Sequence, residues 1–117
     1  MAEDWARPVV HWEVRGREPQ KLRDFYARLF NWQIGDAPIM RIPPGVGGPA
    51  PGPGGHIRQS ETPGVSLYVQ VRDLRASLAK AAELGGSVTM QPVDTPAGPT
   101  IAGIADPEGN VITLVQQ

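Results

Sequence analysis

Residues Val9 to Phe30 and Val65 to Gly86 repeat one unit, an alternating strand followed by a helix and a turn, at an offset of 55 positions. A duplicated unit constrains a chain of this length more than any other feature, because it fixes the architecture and the region between the copies where a site would lie. The same offset sets Ser66 against His11, so the two copies are not chemically equivalent.

The strand of the first copy, Val9-Val10-His11-Trp12-Glu13-Val14, alternates as a strand with two different faces must. Val10, Trp12 and Val14 form the expected core face, with Val9, His11 and Glu13 opposite. Glu18-Pro19 then opens a helix, with proline suited to a first turn and an acid near the positive end of the helix dipole. Its apolar stripe is Leu22, Phe25, Tyr26, Leu29 and Phe30. Trp12 and the Phe25-Tyr26 pair accordingly read as core. Two short strands are expected next, around Trp32–Ile34 and Ile39–Ile42. From Pro43 to Gly55 every residue but Val46 and Ala50 is glycine or proline, which excludes regular structure and reads as a loop within one domain. His56-Ile57-Arg58 starts another strand.

The second copy places Ser66, Tyr68 and Gln70 on a polar face and Leu67, Val69 and Val71 on an apolar one. Asp73 caps a helix with a buried stripe of Leu74, Leu78, Ala81 and Ala82, ended by Gly85-Gly86. Strands are expected over Ser87–Val93, Thr100–Ala105 and Val111–Gln116, the last two joined by a turn at Asp106-Pro107-Glu108-Gly109-Asn110. In the final strand Val111, Thr113 and Val115 share a face.

Composition removes whole classes of function. With 11 basic and 12 acidic residues the formal net charge is -1, and no basic stripe offers itself to nucleic acid or to a membrane surface. No apolar run approaches the roughly 20 residues that span a bilayer, and Met1 to Pro8 has no signal-like apolar stretch, so a cytoplasmic location is expected. Without cysteine there are no disulfides, and any metal would need His, Asp or Glu ligands.

The order strand, helix and three strands, given twice, together with His11, Phe25-Tyr26, Gly85-Gly86 and the closing Asp106-Pro107-Glu108-Gly109-Asn110-Val111-Ile112-Thr113-Leu114, resembles the vicinal oxygen chelate superfamily. That superfamily includes glyoxalase I, bleomycin resistance proteins, fosfomycin resistance enzymes and extradiol dioxygenases. The resemblance implies an α+β fold in which two βαβββ modules, here about 8–58 and 64–117 of a single 1–117 domain, form a curved mixed sheet with helices outside and a concave cleft. It also implies a divalent metal held by a His on the first strand and a carboxylate on the last strand of each module. His11 matches the first ligand. Ser66 stands at the second His and Thr113 at the closing Glu, and neither suits zinc, nickel or iron. The remaining position falls among His56, Ile57 and Arg58. Even with His56 in that place only two imidazoles are present, where catalytic sites usually supply three protein ligands. The expectation is therefore no cofactor, with His11 and His56 the only candidates for a divalent metal.

A lone strand histidine is more often structural than a ligand, and His56 beside Gly55 reads most simply as a solvated strand-end residue. Glu13, Tyr68 and Gln70 suit the wet face of a sheet equally well. As a group, His11, Glu13, Ser66, Tyr68, Gln70 and Thr113 are the candidate ligand-binding residues. Two functional classes fit: a metal-independent protein binding a small organic molecule, or a lyase, isomerase or dioxygenase with an atypical metal site or with His11 and Glu13 as metal-free acid and base. A structural or regulatory dimer ranks behind both. A homodimer is expected in any case, because one pair of modules leaves sheet edges to cover.

Overall fold

The computed structural model describes residues 6–44, 52–96 and 98–116. Its elements are β1 (Val9–Gly16), α1 (Pro19–Phe30), β2 (Met40–Ile42), β3 (Gly55–Gln59), β4 (Gly64–Val71), α2 (Leu74–Glu83), β5 (Ser87–Asp94), β6 (Thr100–Ala105) and β7 (Val111–Gln116). Two compact units divide the chain, Val10–Ser66 and Met1–Val9 with Leu67–Gln117. Among the described residues, no helix is long and apolar enough to cross a membrane.

In the first unit the strands lie in the order β2-β3-β1. β1 and β3 are parallel, joined through α1 as parallel neighbours require, and β2 returns antiparallel to β3. The register sorts the side chains into rows. Val14, Ile57 and Met40 lie abreast across β1, β3 and β2, and so do Glu13, His56 and Arg41. Because successive residues point to opposite faces, the first row is core and the second is not. Met40 and Ile57 are fully buried and join Val14, Ile34 and Ile42 in a cluster backed by Leu22, Tyr26 and Ala27 of α1. Trp12 also packs on this cluster, its indole lying over Gly55 so closely that a Cβ there would collide with the ring.

The second unit is a mixed sheet in the order β4-β7-β6-β5, with β4 parallel to β7 and the rest antiparallel. Here the expected elements form with little change. Asp73 caps α2, its carboxylate accepting from the Ala76 amide at 3.0 Å. The helix ends as a Schellman motif, with Gly85 at φ 99° and the Gly86 amide donating to the Ala81 carbonyl at 2.9 Å. Leu74 and Leu78 enter a core with Val71, Ala102 and Leu114. The Asp106 carboxylate organises the β6–β7 turn by accepting from the Glu108 and Asn110 amides, and the Asn110 side chain beside it holds its pKa below the usual range.

Several expectations need correction. Trp32–Ile34 is no strand, so among the described residues the first module has one strand fewer than the second. Asn31 leaves α1 in the left-handed region, the Ile34 carbonyl accepts from the Arg23 guanidinium at 3.0 and 3.1 Å, and the Gly35 amide donates to the Arg41 carbonyl at 2.9 Å. These bonds occupy backbone groups that a ladder would otherwise use. The buried side of α1 is rotated toward Ala27, leaving Phe25, Leu29 and Phe30 more than half exposed, so Phe25 is not core. Ala82 and Leu67 are likewise exposed. Gly55 belongs to β3 rather than to the loop, and residues 45–51 of that loop lie outside the described residues.

Truncating a fully buried side chain leaves a cavity as well as losing transfer energy, so Ile57→Ala should destabilise by about 2–5 kcal/mol, while Asp73→Ala, which only uncaps α2, should cost about 1 kcal/mol. Urea unfolding of both variants checks the ranking; equal losses would contradict this division between core and cap.

Candidate functional site

The polar row of the first unit becomes a network because its central member is a buried acid. Glu13 is 4% exposed, in a position where an isolated carboxylate would be very costly. Three residues donate to it and a fourth steadies one of the three. Arg15 follows two residues later on the same face of β1, and its Nη1 donates to Glu13 Oε2 at 2.8 Å. His56 stands opposite Glu13 in the ladder and donates from Nε2 to Oε1 at 2.9 Å. Arg58, two residues beyond His56, donates from Nε to the same oxygen at 2.6 Å. Ser66 accepts a further bond from Arg15 Nη1 at 2.5 Å, which holds that guanidinium in place. Among the described residues no buried side-chain polar atom lacks a partner.

The network continues outward through histidine. His56 Nδ1 lies 2.7 Å from His11 Nε2. A carboxylate only accepts, so the His56 nitrogen facing Glu13 must carry a proton, and in the neutral ring the other nitrogen is then an acceptor. With both imidazoles neutral, His11 therefore donates from Nε2 to His56, and Glu13, His56 and His11 form a directional chain.

Electrostatics separate the two ends. Burial raises the pKa of Glu13, but hydrogen bonds from His56, Arg58 and Arg15 outweigh it and hold the carboxyl far below its ordinary value. Burial, His56 and Arg41 lower the pKa of His11, against a smaller opposing pull from Glu13. Glu13 is thus a fixed anion and His11 is biased toward the neutral base.

His11 also lines a recess of about 550 Å³ within this unit. Val10, Ile39, Ile42 and Pro43 give it apolar walls, while His11, His56 and Arg41 supply the polar ones, and among the described residues no acid lines it. A second recess of about 620 Å³ on the α1 side shares Arg41 and Pro43, but its other arginine, Arg23, is bound to the Ile34 carbonyl.

Of the residues singled out from sequence, the structure joins His11, Glu13, His56 and Ser66 in one hydrogen-bonded network. His56, expected as a solvated strand end, is instead 8% exposed and central to it. In the other unit Tyr68 and Thr113 stand abreast in the β4–β7 ladder, and Gln70 follows Tyr68 on the same face, its amide donating to the Pro8 carbonyl at 3.0 Å. Arg15 and Arg41 escaped the sequence reading, and Arg58 entered it only as one of three positions for a ligand, not as a partner of Glu13. Arg15 and Arg58 were visible as the next members of the alternating faces that carry Glu13 and His56.

The superfamily's metal does not fit these donors. Two imidazole nitrogens on one tetrahedral zinc sit about 3.3 Å apart for bonds of about 2.05 Å, whereas those of His11 and His56 are 2.7 Å apart and share a proton. The other nitrogen of His56 is engaged by Glu13, and among the described residues no group of three His, Asp or Glu could hold a metal ion.

Because the folded state depresses the pKa of both His11 and Glu13, each contributes stability that is present above its unfolded pKa and lost as pH falls through its folded one. Stability should therefore decline first below roughly pH 6.5, through His11, and more steeply below roughly pH 4.3, through Glu13. Glu13→Gln should flatten the lower limb and Glu13→Ala should cost about 3–5 kcal/mol by leaving the arginines uncompensated. Urea midpoints from pH 3 to 8 test this, and an unchanged lower limb in Glu13→Gln would refute it.

Comparison with known proteins agrees with this fold. A family described as glyoxalase-like domain matches residues 11–115. The anthracycline biosynthesis proteins DnrV of Streptomyces peucetius and DauV of Streptomyces sp. strain C5 are each 35% identical over 85 residues, covering 73% of this chain. The chain spans only 27% of the length of those relatives. Among solved structures, methylmalonyl-CoA epimerase from Mycobacterium tuberculosis superposes with a TM-score of 0.63 at 17% identity, covering 92% of this chain and 86% of that one. A glyoxalase/bleomycin resistance protein/dioxygenase superfamily member from Vibrio splendidus 12B01 gives 0.64 at 14% identity, covering 96% and 100%. With strand–helix–strand modules of the expected order and a family match over nearly the whole chain, this protein belongs to the glyoxalase-like domain family of the vicinal oxygen chelate superfamily.

Proposed function

We propose that the recess beside His11 binds a small organic molecule with an apolar body and an anionic group, and that it does so without a resident divalent metal. The observation carrying this reading is the position of Arg41 on the wall of a recess whose other described lining residues are apolar or histidine, with no acid among them. Its guanidinium makes no ion pair with a described residue, while Glu13, the nearest acid in the same row, is already saturated by Arg15, Arg58 and His56. An anion there gains a charge-assisted bond, and a cation meets only repulsion. The two sequence relatives are named as anthracycline biosynthesis proteins, which is small-molecule chemistry.

A metal-free acid–base enzyme is the second reading, favoured by the hydrogen-bonded chain from Glu13 through His56 to His11. In it His11 is the proton acceptor, because Glu13 is held ionised by three donors and has little basicity left. Self-association is part of the proposal as well. Phe25, Leu29 and Phe30 form an apolar, half-exposed face on α1 that pairing of two copies would cover.

Benzoate, benzamide and benzylamine, titrated calorimetrically in the presence of EDTA, separate these features. Benzoate should bind best and benzylamine not at all, and Arg41→Ala should weaken benzoate about tenfold, as loss of one charge-assisted bond implies. Benzoate affinity that disappears on chelation, or that Arg41→Ala leaves unchanged, overturns the reading. For self-association, light scattering of wild type and Phe25→Lys should show a dimer that the substitution dissociates; a wild-type monomer at micromolar concentration refutes it.

A further inference from the structure

We propose that the recess on the α1 side is a second binding site, separate from the one beside His11, and that it takes a phosphate monoester whose body carries hydroxyl groups. Donors that the fold leaves unused there carry this assignment, which holds whether or not an anion binds beside His11.

The recess lies between α1, residues 32–35 and the edge strand β2, and at about 620 Å³ it has room for a ligand of sugar-phosphate size. Its walls are fixed although residues 31–36 form no helix or strand. Arg23 donates from Nε and Nη2 to the Ile34 carbonyl, and the Gly35 amide ties the same stretch to the Arg41 carbonyl. The Trp32 ring is held against those of Phe30, Trp12 and Tyr26, with centroids 5.0, 5.2 and 5.7 Å away. A site fixed in this way spares its ligand the cost of ordering it.

Hydrogen-bonding capacity is what the walls have left over. With Nε and Nη2 spent on Ile34, Arg23 keeps two N–H groups on Nη1 that bond no described residue. The Arg41 guanidinium, the Gln33 side-chain amide and the Trp32 Nε1–H likewise bond no described residue, and all four residues line the recess. A carboxylate, with two oxygens in one plane, is satisfied by a single guanidinium. A tetrahedral phosphate presents oxygens in several directions, so two guanidinium groups and further N–H donors can hold it at once, and its charge matches theirs. Asp36 lies 3.7 Å from Arg23 Nη2, but its side chain is 93% exposed and water screens it. Asp24, the acid among the described lining residues, also bonds no described residue. Its carboxylate only accepts, so it repels a bare anion and favours one that brings a hydroxyl donor. Hence the ligand class is a phosphate ester of a hydroxyl-bearing body, with Ala27 and Pro43 as the apolar surface beneath that body.

Glucose 6-phosphate, inorganic phosphate and glucose, titrated calorimetrically, test the assignment. Glucose 6-phosphate should bind, inorganic phosphate should bind about tenfold more weakly, and glucose should not bind measurably. Gln33→Glu adds a carboxylate to the recess without touching a bond that holds its walls, and should weaken glucose 6-phosphate by about tenfold or more. Arg23→Ala should abolish binding of both phosphates, while Asp24→Ala should narrow the gap between them by tightening inorganic phosphate. Benzoate, bound in the other recess, should stay within about threefold of wild type in Gln33→Glu and Arg23→Ala. Absence of phosphate binding, or binding that Gln33→Glu leaves unchanged, overturns the proposal. Equal affinity for the ester and for inorganic phosphate overturns the ligand class. Benzoate weakened as much as the ester by Gln33→Glu means one shared site and overturns the separation of the two. Failure of benzoate alone overturns only the reading of the recess beside His11.

Discussion

The first half of this molecule is organised around one carboxylate placed where water hardly reaches it. Burying Glu13 without compensation would cost several kcal/mol at least, comparable with the whole stability of a small domain. Everything polar nearby answers that requirement. Arg15, Arg58 and His56 each donate to it, Ser66 holds Arg15, and His11 is tied to the assembly through His56. The direction of those bonds matters as much as their number, because a saturated carboxylate fixes which nitrogen of His56 carries a proton and hence which way His11 points its own.

That arrangement depends on strand register. In the parallel β1–β3 pair, Glu13 faces His56 and Val14 faces Ile57, and β2 extends both rows with Arg41 and Met40. A slip of one residue would exchange the rows, driving Glu13 and His56 against α1 and the valine and isoleucine onto the polar side. Hydrophobic burial and the charge network therefore enforce the same register from opposite faces of one small sheet. Trp12 tightens the constraint, since its indole fits only over Gly55, and its Nε1–H is anchored on the Pro53 carbonyl at 2.9 Å.

What the sequence made legible follows from the range of the interactions involved. In the second half the signals are local: Asp73 bonds an amide three residues on, Gly85 relieves a left-handed helix end, and Asp106 folds back on Asn110. Elements from α2 to β7 could accordingly be read almost to the residue. In the first half the decisive partners are far apart in sequence. Glu13 meets His56 and Arg58 across a glycine- and proline-rich segment that carries no periodicity, so His56 looked solvated and its register could not be assigned. Trp32–Ile34 had the composition of a strand, yet Arg23, eleven residues from the Ile34 carbonyl it binds, had already taken one of the backbone groups a strand would need. Phe25 was misplaced for a related reason, because spacing gives the width of an apolar stripe but not which part of it the sheet will cover.

Ser66 and Arg15 together explain how the site departs from the superfamily's metal pattern. Placed where a second imidazole ligand is expected, Ser66 instead gives its hydroxyl oxygen to Arg15, and the guanidinium it steadies is a fixed positive charge beside Glu13. A divalent cation brought to the same face would meet Arg15, Arg58 and Arg41, and Glu13, the carboxylate of their row, has no oxygen without a donor. Replacing a ligand by a neutral acceptor thus does more than delete one metal bond. It steadies an arginine whose positive charge occupies Glu13, the carboxylate of this network, so that the carboxylate's oxygens are already taken by donors.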